Sequence, residues 1–100
     1  MIRWRKRSVS FSDIRKDPFD VLERELDWID IVPAGSTISA SAWVSDSSGL
    51  TVVDAGTTGL ATKVKLSAGA AGVAYKVSNQ VTLDSGLKFE RSFYVLVREL

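Results

Sequence analysis

Six carboxylates crowd into the fourteen residues 17–30: Asp17, Asp20, Glu23, Glu25, Asp27 and Asp30. Gathered carboxylates can hold a calcium ion, or divide acid and base roles across a glycosidic bond. This run completes neither arrangement. It lacks the spacing of an EF-hand loop. Read as a strand, it places Glu23, Glu25 and Asp27 along one face instead of around one point, so a solvated acidic face is expected. The chain has no histidine and no cysteine. That removes the side chain best suited to proton transfer near neutrality, every Ser-His-Asp or Cys-His site, thiolate metal ligation and disulfides. Gly49, Gly56, Gly59, Gly69 and Gly72 match neither phosphate-binding spacing. No reaction and no cofactor are expected.

Contact chemistry is better supplied. Residues 1–16 hold Arg3, Arg5, Lys6, Arg7, Arg15 and Lys16 against Asp13 alone, a net charge of +5. The rest of the chain holds seven bases and eleven acids, net −4. A basic arm on a mildly acidic body suits docking on an acidic neighbour better than a loose solvated tail, and phosphates come last. Trp4 lies among the arginines with no core pattern around it, where it can anchor in a protein pocket or stack on a base. Val9, Phe11 and Ile14 alternate enough to add a strand to another sheet edge. Further on, Trp28 suits a core. Trp43 falls on the face opposite Ile38, Ala42 and Val44, where an exposed indole serves as a contact residue. Arg3, Trp4, Arg5, Lys6, Arg7 and Trp43 are therefore the candidate partner-binding residues.

The elements that must position these groups are strands. A chain of 100 residues with 45% hydrophobic and 25% charged residues is one globular domain. No apolar run approaches the roughly 20 residues that span a bilayer, and no apolar segment follows Met1–Arg7 as in a signal peptide. From Thr37 onward, short alternating runs are separated by turn residues. Ile38, Ala40, Ala42 and Val44 share a face; Asp46-Ser47-Ser48-Gly49 turns; Leu50–Val53 is a short strand; residues 55–59 break the chain. Leu60, Thr62, Val64 and Leu66 alternate with Lys63 and Lys65, which are expected to discourage edge pairing. Val73, Tyr75, Val77, Asn79, Val81 and Leu83 face one way. Asp84-Ser85-Gly86 is a hairpin turn, and Leu87, Phe89, Arg91, Phe93, Val95 and Val97 line the final strand.

Residues 17–26 are ambiguous. An N-cap Asp17, Pro18 and an apolar stripe through Phe19, Leu22, Leu26 and Ile29 read as a helix. A strand over Leu22–Trp28 agrees with the β character of everything else, and that is the expectation adopted. The result is an all-β, immunoglobulin-like antiparallel sandwich of about seven strands over residues 17–100, preceded by an extended basic arm, residues 1–16. Its expected core is Leu22, Leu26, Trp28, Ile38, Ala40, Ala42, Val44, Leu50, Val52, Val64, Leu66, Tyr75, Val77, Val81, Phe93, Val95 and Val97.

Several segments resemble a known family. Lys16-Asp17-Pro18, the stretch from Leu22 to Asp27-Trp28, and Gly35-Ser36-Thr37-Ile38 are similar to the opening of small tailed-bacteriophage proteins described as fibre–tail adaptors or Ig-like virion proteins. Gly49-Leu50-Thr51-Val52, Leu66-Ser67-Ala68-Gly69 and Ala71–Val77 continue the resemblance, and Glu90-Arg91-Ser92-Phe93 with Val97-Arg98 closes it. It covers residues 16–99. The family has a tyrosine just after the Leu22 position, where Glu23-Arg24 stands here, and the basic extension before Lys16 is unusual for it. The resemblance implies a non-enzymatic structural part of a virion, made in the host cytoplasm. It would sit in several symmetry-related copies at the tail, neck or baseplate and bridge to a fibre or appendage by protein–protein contacts, with no membrane and no cofactor. Two alternatives stay open: an Ig-like carbohydrate- or surface-binding module using Trp43 and Tyr94, and a neck protein touching packaged DNA through its arm.

Overall fold

Alternating apolar and polar residues fold into strands because the two-residue side-chain period sends every second residue to one face. In the computed structural model, which describes residues 13–100, seven strands form: β1 (Ile14–Lys16), β2 (Leu22–Asp27), β3 (Ile38–Ser45), β4 (Leu50–Thr58), β5 (Ala61–Ala68), β6 (Ala74–Leu83) and β7 (Lys88–Val97). They form a four-stranded sheet in the order β1-β7-β6-β3 and a three-stranded sheet in the order β2-β5-β4. Residues 22–27 are a strand paired antiparallel to β5, not a helix. Pairing lets Leu26 and Trp28 bury against the opposite sheet, which outweighs the local helix-start signals before them.

The core lies between the sheets. Trp28, Val64, Leu66, Val77 and Val95 are fully buried, joined by Leu26, Leu50, Tyr75, Val81, Phe93 and Val97. Ile14, Val32 and Leu83 also enter it, although the expected core omitted them. Leu22, Ile38 and Val52 are half-buried against its margin.

Three expectations are corrected. First, Ala40, Ala42 and Val44 are exposed. A bulge between Ile38 and Ala40 shifts the register against β6, and one extra residue exchanges the two faces of a strand. Ile38 therefore points inward, and Ala40, Ala42 and Val44 outward. Second, the sandwich begins before residue 17. Residues 14–16 pair in parallel with Val95–Val97, burying Ile14 and Lys16, so the sheet is not wholly antiparallel. Val95 and Val97 need a neighbour on that edge, and Ile14 supplies it. Third, Gly56 does not end a strand. It forms a bulge within β4 at a positive φ of 109°, its N–H held by Asp54 Oδ1 at 2.7 Å. With β2 paired on one side and β4 on the other, β5 is the central strand of its sheet, so Lys63 and Lys65 guard no edge.

Two groups of polar residues are also buried. Lys16 Nζ donates to the carbonyls of Asp17, Pro18 and Ala68, tying β1 to the β5–β6 connection. In that connection Gly69 has a φ of 100°, and a Cβ there would meet Val97 Cγ2 at 2.8 Å. At the centre, Trp28 Nε1 donates to Thr62 Oγ1 and Asn79 Oδ1, both at 3.1 Å. Thr62 Oγ1 donates to the same Asn79 oxygen at 2.7 Å. Asn79 Nδ2 donates to Ser41 Oγ and the Ala42 carbonyl. One asparagine thus links β5 and the residue just after β2 on one side to β3 and β6 on the other.

Candidate protein-docking surface

Surfaces that bind proteins are built from strand edges, exposed faces and termini, and each carries a different charge pattern here. On the outer face of the smaller sheet, Glu23 stands opposite Lys65 and Glu25 opposite Lys63. Opposite charges directly across an antiparallel pair favour that register by about 0.2–1 kcal/mol. Glu23, Glu25 and Asp27 are all exposed and spread along β2, as their alternation implied. Asp20 is used locally: its Oδ2 accepts the Asp17 N–H at 3.1 Å. Among the described residues, the acidic side chains nowhere gather in a group of three or more able to hold a metal ion.

Asp17 ties the C-terminal residues to the β1–β2 turn. Its Oδ2 accepts the Leu100 N–H at 3.0 Å and its Oδ1 the Phe19 N–H at 2.9 Å. The Leu100 N–H first, then that of Phe19, hold its carboxyl below the ordinary carboxylate value, with Lys16 adding to the effect and partial burial opposing it. A folded-state pKa below the unfolded one contributes stability above the unfolded value, which is lost as pH falls through the folded value. Acidification through and below the usual carboxylate range should therefore release the Leu100 amide. Asp17→Asn should show the released state already at neutral pH. The Leu100 amide shift in a pH series checks this, and a shift that does not move with pH would contradict it.

Of the candidate contact residues, Arg3, Trp4, Arg5, Lys6 and Arg7 lie outside the described residues. Trp43 is described, and its facing is the reverse of that expected. The bulge that turns Ala42 outward turns Trp43 inward, half-buried, its ring edge against Phe93 with centroids 6.3 Å apart at 67°. Trp28 is fully buried. Tyr94 is 44% exposed on the outer face of β7. That face also carries a shallow open groove of about 430 Å3 between Ala40, Ala42, Gln80, Thr82, Lys88 and Glu90.

The edges were not foreseen from the sequence. β1 is short, β2 carries Glu23, Arg24, Glu25 and Asp27, and β4 is interrupted at its bulge. β3 is uncharged from Ile38 to Ser45 and, among the described residues, pairs only with β6. The signal was legible as a run without charge, but which strands lie at edges follows only from topology.

These features define an immunoglobulin-like β-sandwich domain. The chain belongs to the family described as Podophage GP4 fiber-tail adaptor protein gp77, whose sequence model matches residues 16–96. Among solved structures, the solution structure of the PKD domain from KIAA 1837 protein is similar, with a TM-score of 0.58 and 20% identity. The similarity covers 88% of this chain and 81% of that one, and at that identity it shows the fold alone. No curated protein matches the chain.

Proposed function

We propose that this domain is a non-enzymatic adaptor in the tail region of a podophage virion, present in several symmetry-related copies and joining a tail, neck or baseplate subunit to a fibre or appendage. Membership of the fiber-tail adaptor family over residues 16–96 carries the reading. The arm supplies the main contacts: Arg3, Arg5, Lys6 and Arg7 meet acidic groups on a neighbouring virion protein, and Trp4 anchors in its surface. Trp43 contributes through the edge strand that carries it. The carbohydrate-binding alternative loses support, because Trp43 turns inward and leaves only Tyr94 of its two aromatics well exposed.

Deleting residues 1–7 is expected to leave the melting temperature of the sandwich nearly unchanged while abolishing or strongly reducing incorporation into particles. All seven residues precede β1. Normal assembly of the truncated protein would sink the proposal and move the contact surface to the sandwich. A truncated chain that fails to fold would show that these residues belong to the core. Salt-sensitive DNA binding lost with the same deletion would instead favour a neck protein touching DNA.

A further inference from the structure

An exposed strand edge is a row of unpaired N–H and C=O groups, and folded proteins normally guard it with charge, proline, bulges or brevity. Among the described residues, three of the four edges are guarded: β1 by its three residues, β2 by four charges in six, β4 by its central bulge. β3 is the exception. Beyond its bulge it pairs in unbroken register with β6 from Ala40 to Ser45, with no charge and no proline.

The register shows which groups are open. The ladder continues into Asp46, whose N–H donates to the Lys76 carbonyl at 3.0 Å. Hydrogen-bonded and non-bonded positions alternate along an antiparallel pair. The main-chain groups of Ala40, Ala42 and Val44 therefore face β6, and those of Ser41, Trp43 and Ser45 face away from it. Trp43 also carries a buried indole N–H with no acceptor. One strand thus presents an open ladder at its edge and holds an unsatisfied donor on its inner face.

We propose that this edge accepts an extended strand, Ser8–Ser12, from a second copy of the chain. The segment Ser8-Val9-Ser10-Phe11-Ser12 alternates serine with apolar residues and, like β3 from Ser41 to Ser45, is uncharged. Its own molecule cannot use it there. Asp13 Oδ1 accepts the Tyr94 N–H at 3.0 Å, pinning residue 13 at β7. From the β1 line on which residue 13 lies, the position beyond β3 is four strand spacings away, about 19 Å, whereas Ser12 is one peptide, about 3.8 Å, from Asp13. A neighbouring copy has no such restriction. Because Ser8–Ser12 leads directly into β1, pairing places the β1 edge of one copy beside the β3 edge of the next. That contact is head-to-tail and propagates into a ring or a filament. The inference supplies the contact between copies in the adaptor reading above, but does not depend on which virion proteins the adaptor joins.

Amide exchange in the isotope-labelled full chain tests it. With a synthetic peptide of residues 1–12 added in millimolar excess, exchange at Ser41, Trp43 and Ser45 should slow by more than about tenfold. The Ala40, Ala42 and Val44 amides should be protected with or without peptide. The same peptide with Val9→Pro and Phe11→Pro keeps every charge but cannot donate at those positions, and should have no effect. Unchanged exchange with the parent peptide, or equal protection by the proline peptide, would overturn strand addition. Full protection of the three amides in dilute chain without peptide would overturn the second-copy assignment. This readout needs no particle, so it can fail while arm-dependent incorporation holds, and the reverse.

Discussion

Phe93→Ala should lower the unfolding free energy by about 3–5 kcal/mol, the range for deleting a large buried aromatic. Phe93 is 2% exposed on β7, directly opposite the fully buried Val77. Its loss removes transfer free energy, leaves a cavity between two sheets that cannot close independently, and breaks the edge-to-face contact with Trp43. Against total stabilities of about 5–15 kcal/mol for small domains, the variant should be largely unfolded at moderate denaturant. A urea titration checks this, and Phe93→Leu should recover more than half of the loss. A midpoint equal to that of the parent would mean that the ring does not contribute to the core.

Asn79→Ala should cost about 2–4 kcal/mol, mostly through polar groups left without partners. Asn79 is fully buried and satisfied on both amide atoms. Without it, Trp28 Nε1 keeps Thr62, but the Thr62 hydroxyl loses its acceptor and the Ala42 carbonyl a donor. Asn79→Asp should be worse, because it sets a carboxylate oxygen where an N–H now meets that carbonyl. The network also makes a coupling testable. Adding Asn79→Ala to Trp28→Phe should cost less than adding it to the parent by the worth of the Trp28–Asn79 bond alone, since Thr62 and Ala42 lose their partners in both backgrounds. Strict additivity in chemical denaturation would mean that the shared oxygen carries no energy.

Both sites show the level at which the fold was readable. Phe93 announced itself by alternation with Val95 and Val97, a pattern confined to five residues. Asn79 also fell on the inward row with Val77 and Val81, but nothing near it in the chain shows that its amide would meet Trp28, 51 residues away, and Thr62, 17 away. Among the candidate contacts, Trp43 is expected outside because it lies opposite Ile38, Ala42 and Val44, and the bulge after Ile38 turns it inward instead.

Local alternation and turn residues determined the β class and most of the core, because those properties depend on neighbours a few residues apart. The strand at residues 22–27 came from agreement with the rest of the chain, since its own residues equally describe a helix. Tertiary structure alone decided four things: the bulge that reverses β3, the recruitment of Ile14–Lys16 beside β7, the buried linkage through Asn79, and the position of β3 at an open edge. Each depends on which strands pair and in what register. That is set by the fit of side chains distant in the chain, where a slip of one residue exchanges inside for outside.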